Sequence, residues 1–164
     1  QTMKSPHRVI IIGGGFAGLN CAQSLANDDR FAVTLIDQQN HHLFQPLLYQ
    51  VATASLSAVD IARSLRAILG DAQNVSVLLD KVSSIDSKNK TIITESGKQT
   101  YDSLVIATGA RTSYFGKDEW AKHTYGLKNL EDSRRIRHQV LNSLEQAEKS
   151  DDPEERKRLM SVLK

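Results

Sequence analysis

The 164-residue chain has one cysteine, Cys21, which excludes an internal disulfide and a thiolate metal cluster. A reducing compartment is the default for such a chain. No apolar run approaches the roughly 20 residues needed to cross a bilayer. The opening QTMKSPHR is too short and too polar for a signal peptide. Neither sign of charge dominates: 21 Lys and Arg stand among 19 Asp and Glu, for a net charge of +2. That balance gives no reason to expect nucleic acid or an anionic membrane surface as a partner. Repeats and low-complexity segments are missing too. What remains, 40% hydrophobic and 24% charged residues, is the composition of a globular chain long enough to bury a core.

Glycine is concentrated at one place, RVIIIGGGFAGLN. Arg8 to Ile12 form an apolar, β-branched run that suits a central parallel strand covered on both faces. Gly13, Gly15 and Gly18 then match G-x-G-x-x-G. The spacing has a mechanical logic. Gly13 permits the sharp turn out of the strand, Gly15 lets backbone approach a pyrophosphate, and Gly18 lets the following helix pack closely on the sheet. The pyrophosphate would rest on free N–H groups at the positive end of that helix, where Phe16 and Ala17 stand. FAVTLID (Phe31 to Asp37) reads as a second strand, closing a βαβ unit. Asp37 lies 19 residues past Gly18, with Gln38 beside it. Its carboxylate can accept hydrogen bonds from a ribose diol and would repel a 2′-phosphate, which argues against NADP in this site. The motif does not by itself separate NAD from FAD.

Further along, QQNHHLFQPLLYQVATASL has no clean period and reads as a loop or broken helix. Ser57, with Asp60 three residues on, predicts a helix start; Ile61, Leu65, Ile68 and Leu69 continue one stripe, and Gly70 ends it. NVSVLL predicts a third strand. Lys81 to Thr100 predicts a small antiparallel meander with two tight turns. SLVIATGA is another apolar strand running into a glycine. A helix is expected from about Leu130 to Glu148, and Asp152-Pro153-Glu154-Glu155 signals the start of another.

YDSLVIATGA resembles the A-T-G motif of two-dinucleotide flavoproteins. There the corner formed here by Ala107, Thr108 and Gly109 passes close to the flavin nucleotide, and a β-meander replaces the helix of an ordinary NAD domain. Together the motifs point to FAD. The segment from Asn40 to Leu69, FQPLLYQVA above all, resembles the type II NADH:quinone oxidoreductases of the pyridine nucleotide-disulfide oxidoreductase-like superfamily. The stretch after A-T-G is similar to that family as well. The resemblance implies flavin-facing roles for Gln45, Pro46, Leu47 and Leu48, an adenine contact at the backbone of Val82, and pyrophosphate and ribose contacts at the glycines and Asp37. It implies an α/β fold: a Rossmann-like parallel sheet with an inserted three-stranded meander (about 81–101), spanning 1–116, followed by a helical connector at 117–164.

In the family a second βαβ unit with its own glycine motif binds NADH, and here it would begin where LMSVLK stands. The resemblance therefore implies the N-terminal, FAD-binding part of a longer enzyme in which NADH reduces FAD and FAD reduces a quinone. It implies a protein peripheral on the cytoplasmic face of the membrane, held there through a region beyond these residues, and it is compatible with a homodimer. No acid, base or nucleophile is nominated, and the 164 residues alone are expected to bind FAD weakly and to lack turnover. Rival readings are a reductase of the ferredoxin or rubredoxin type, a non-catalytic NAD-binding module, and an interaction domain. Cys21 reads as a small core residue. His41 and His42 read as loop hydrogen bonders rather than metal ligands. Arg134, Arg135, Arg137 and His138 read as a solvated helix face, and Trp120 as a packing anchor.

Overall fold

The apolar run ahead of the glycines becomes the middle of a parallel sheet. A computed structural model describes residues 5–39, 41–58, 62–110, 113–122 and 124–161. It divides into two compact units, Gln1–His42 with Ala62–Ala110, and Leu43–Ile61 with Arg111–Lys164. In the first, β1 (His7–Ile12) is followed by α1 (Phe16–Leu25), β2 (Phe31–Asp37) and β3 (His41–Leu43), then β4 (Ala62–Ser64), α3 (Leu65–Leu69) and β5 (Val75–Leu79). A meander of β6 (Val82–Asp86), β7 (Thr91–Thr94) and β8 (Gly97–Thr100) leads into β9 (Ser103–Ile106). The main sheet has the order β5-β2-β1-β9, with every pair parallel. The predicted meander is there, antiparallel throughout.

Alternate residues of β1 serve two cores, as the pleat requires. Val9 and Ile11 join Leu19, Ala22, Val33, Leu35 and Leu65 on one side. Ile10 and Ile12 join Ile36, Ile92 and Tyr101 on the other. Helix α1 therefore covers one face, while Ile92 of the meander and Tyr101 after it pack on the other. Ile11 and Leu35 are fully buried, each stabilising the fold by about 1.5–3 kcal/mol. Cys21 packs beside the first core. The helix shows one face to solvent, through Asn20, Gln23 and Ser24.

The second unit contains a 3₁₀ turn at Gln45–Leu47, α2 (Leu48–Ala52), α4 (Leu130–Lys149) and α5 (Pro153–Leu159). Leu48, Val51 and Ala58 form its buried centre, with Leu130 packed against them. Arg137, expected on a solvated face, instead donates to the Leu56 carbonyl at 3.2 Å. Trp120 is half exposed and stacked beneath the Lys117 ammonium, 4.7 Å from the ring centre, so it is not a buried anchor.

The helix predicted from Ser57 to Gly70 is not continuous. Ala62–Ser64 are extended and pair with β3, and the helix runs only over Leu65–Leu69. Strand pairing overrides the helical stripe there. Asp60 and Ile61, part of that prediction, lie outside the described residues.

Candidate functional site

The glycine loop sits at the C-terminal ends of β1 and β2, where open α/β sheets bind ligands. Its three glycines do three different things. Gly13 has a φ of +106°, and a β-carbon there would lie 2.3 Å from the Ala107 carbonyl oxygen, so the loop touches the backbone of the Ala107-Thr108 corner. A β-carbon on Gly18 would lie 1.8 Å from the Gly13 carbonyl oxygen, which is the close helix packing the motif predicts. Around Gly15 a β-carbon would meet nothing within 4 Å, so the chain exposes bare backbone to open space there.

Gly15 is also the N-cap of α1, and its side-chain position offers no capping group. The first intrahelical bond is Leu19 N–H to the Gly15 carbonyl, which leaves the amides of Ala17 and Gly18 without helical partners. No acidic residue stands in the first turn. The Ala17 and Gly18 amides, the positive end of a helix dipole and the missing carboxylate are together suited to an anion.

Asp37 ends β2 and closes the loop from one side. Its Oδ2 accepts the Gly14 N–H at 2.5 Å and its Oδ1 accepts the Gln39 N–H at 2.6 Å. Each carboxylate oxygen keeps acceptor capacity for a diol. Gln38 is exposed beside it. One residue on, an open cavity of about 420 Å³ is lined by Gln38, Leu79, Asp80, Lys81, Glu95 and Ser96. Asp80 is buried there; the Thr94 hydroxyl, then the Lys81 amide at 2.7 Å, hold its carboxyl below the usual range against the penalty of burial. Val82 starts β6 at the next position, half-buried beside the second core, where the register of the meander shifts.

The A-T-G corner follows β9. The Ala107 amide donates to the Ile12 carbonyl at 2.8 Å, fixing the corner to β1 one residue before the glycines. Thr108 is exposed, and Gly109 takes a φ of +70°. The first unit thus brings together Gly13, Gly15, Phe16, Ala17, Gly18, Asp37, Gln38, Val82, Ala107, Thr108 and Gly109. Gln45, Pro46, Leu47 and Leu48 belong to the second unit. There Gln45 and Pro46 are exposed, Gln45 donating to the Lys128 carbonyl at 3.2 Å, while Leu48 is fully buried in the core of that unit.

Two contributors to the loop were not singled out from sequence as parts of the site. Leu65 lies directly beneath Gly14, where an added β-carbon would meet its Cδ1 at 2.7 Å. His42 Nδ1 donates to the Gly14 carbonyl at 3.1 Å. Leu65 was visible only as part of a helical stripe, and His42 only as a loop hydrogen bonder.

The sequence model for pyridine nucleotide-disulphide oxidoreductases matches residues 7–158. The chain belongs to the pyridine nucleotide-disulphide oxidoreductase family. It is 47% identical over 161 residues to the type II NADH:quinone oxidoreductase NdhA of Mycobacterium tuberculosis, covering 96% of this chain and 34% of that one. The Ndh protein of the same organism, named likewise, is 45% identical over 94% of this chain and 34% of its own length. The chain thus spans about a third of the length of these relatives. In three dimensions it is similar to NDH2 from Plasmodium falciparum, with a TM-score of 0.81 and 28% identity over 93% of this chain and 32% of that one. NDH2 has also been solved in complex with NADH.

Proposed function

We propose that this chain is the FAD-binding portion of an NADH:quinone oxidoreductase. One observation carries the reading: the uncapped, acid-free start of α1 opens beside Gly15, with Asp37 and the A-T-G corner touching the same glycine loop. The relatives' names support the choice of NADH and quinone over other partners.

In this reading the amides of Gly15 and Ala17, with Phe16 between them, hold the diphosphate, and Asp37 accepts the ribose hydroxyls. Gln38 and the Val82 backbone border the adenine end. Ala107, Thr108 and Gly109 pass beneath the flavin half. By resemblance to the family, Gln45, Pro46 and Leu47 are the residues that would face the isoalloxazine, while Leu48 packs in the core of its own unit. The chemistry that bound FAD supplies is acceptance of a hydride from NADH and delivery of two electrons to a quinone; the protein orients and tunes it. Residues 1–116 form the flavin-binding portion, and 117–164 connect to sequence that binds NADH. Attachment to the inner membrane face belongs to the same proposal; among the described residues no helix is long and apolar enough to cross a membrane.

Titration of FAD into the purified chain, followed by flavin fluorescence, tests this. FAD should bind saturably, equimolar NADH should not displace it, and the loaded chain should not turn over NADH with a soluble quinone. A chain that binds NADH but not FAD would contradict the flavin assignment. Full NADH:quinone turnover from these 164 residues would contradict the division of labour.

A further inference from the structure

We propose that His42 is a positioning residue that sets the direction of the Gly15 N–H for the dinucleotide's diphosphate. This rests on the dinucleotide reading above and adds a residue to it. The Gly14 unit is held from both sides. Its N–H goes to Asp37 Oδ2, and its carbonyl accepts from His42 Nδ1 at 3.1 Å. A carbonyl oxygen only accepts, so His42 carries its proton on Nδ1 in this contact. The half-buried ring is also fixed edge-on against Phe16, the first residue of α1, with centroids 4.9 Å apart and planes at 89°.

The consequence follows from peptide planarity. In a trans peptide the carbonyl of Gly14 and the N–H of Gly15 point in opposite directions in one plane. A donor that pins the Gly14 carbonyl toward His42 therefore turns the Gly15 N–H away from it. The peptide between two glycines has no β-carbon on either side to resist a flip. A flip would present a carbonyl oxygen where the N–H stood and repel a diphosphate. Asp37 pins the preceding peptide and cannot hold this one.

Asparagine and glutamine separate this role from simple packing. The Asn side-chain nitrogen reaches the position of His Nδ1, whereas that of Gln reaches the position of Nε2. FAD affinity of the 164-residue chain is measured for His42→Asn, His42→Gln and His42→Phe. Phe keeps the ring contact with Phe16 and loses the donor. We expect His42→Asn to bind FAD within about twofold of the parent, and His42→Phe and His42→Gln to bind about threefold to tenfold more weakly, the usual worth of one hydrogen bond. The same loss is expected for ADP, which carries the diphosphate without the flavin. Phe or Gln variants binding as tightly as the parent, or an Asn variant as weak as they are, would overturn the assignment, as would a loss confined to FAD. Failure of the parent chain itself to bind FAD would instead count against the function proposed above.

Discussion

A methyl group added at Gly18 would lie 1.8 Å from a carbonyl oxygen of the glycine loop, whereas one added at Gly15 would meet nothing within 4 Å. The two glycines of one motif therefore answer differently to the same substitution. We predict that Gly18→Ala lowers stability by about 3 kcal/mol, at the upper end of overpacking penalties, read from the urea midpoint. Gly15→Ala should change stability by less than about 1 kcal/mol, yet weaken FAD at least tenfold, because the new methyl occupies space a diphosphate needs. Equal stability losses in the two variants would contradict this division. At the other end of β1, Asp102 accepts from the Arg8 side chain at 3.0 Å and 3.2 Å and from its amide at 2.8 Å. These bonds, the side-chain ones first, hold the Asp102 carboxyl at about 2. A carboxyl lowered in the folded state stabilises the fold above its unfolded value, and that contribution disappears as the folded carboxyl protonates. Stability should therefore fall as pH drops from about 4 to about 2, and Asp102→Asn should flatten that fall. An unchanged pH slope in the variant would show that the pair is not coupled to folding.

At the scale of elements, what was legible in the sequence was whatever depends on short-range pattern. Helix α4 is expected over about Leu130–Glu148 and found over Leu130–Lys149, because Ile136, Val140, Leu144 and Ala147 recur at helical spacing. Asn129 Oδ1 accepts the Asp132 N–H at 2.8 Å, and Asp132 Oδ2 accepts the Asn129 N–H at 3.3 Å. Asn129→Ala should cost about 1 kcal/mol, measured by chemical denaturation; no change would mean that packing alone fixes the helix start. The βαβ unit and the meander were equally legible, since strand-length apolar runs and turn residues alternate there. The segment after Ser57 was not. Ala62–Ser64 become a strand through pairing with β3, some twenty residues away in sequence, and no local period reports such a pairing. Likewise the sharp turn at Gly13 and the close packing at Gly18 could be read from spacing, but the contacts of Leu65 and His42 with Gly14 could not. Each depends on a loop returning to the site from a distance.

For the molecule as a whole, the decisive feature is that one end of one parallel sheet collects the loop, the acid and the A-T-G corner. Asp37 reaches the loop from the end of β2, and Ala107 reaches it from the end of β9. The relatives are about three times as long as this chain. The most direct measurement is a titration of FAD into the ¹⁵N-labelled chain, following each backbone amide. We predict saturable shifts at Gly15, Phe16 and Ala17, with smaller ones at Asp37 and Val82. Amides of the α1 start that stay unmoved at saturating FAD, or shifts confined to residues remote from that loop, would contradict it.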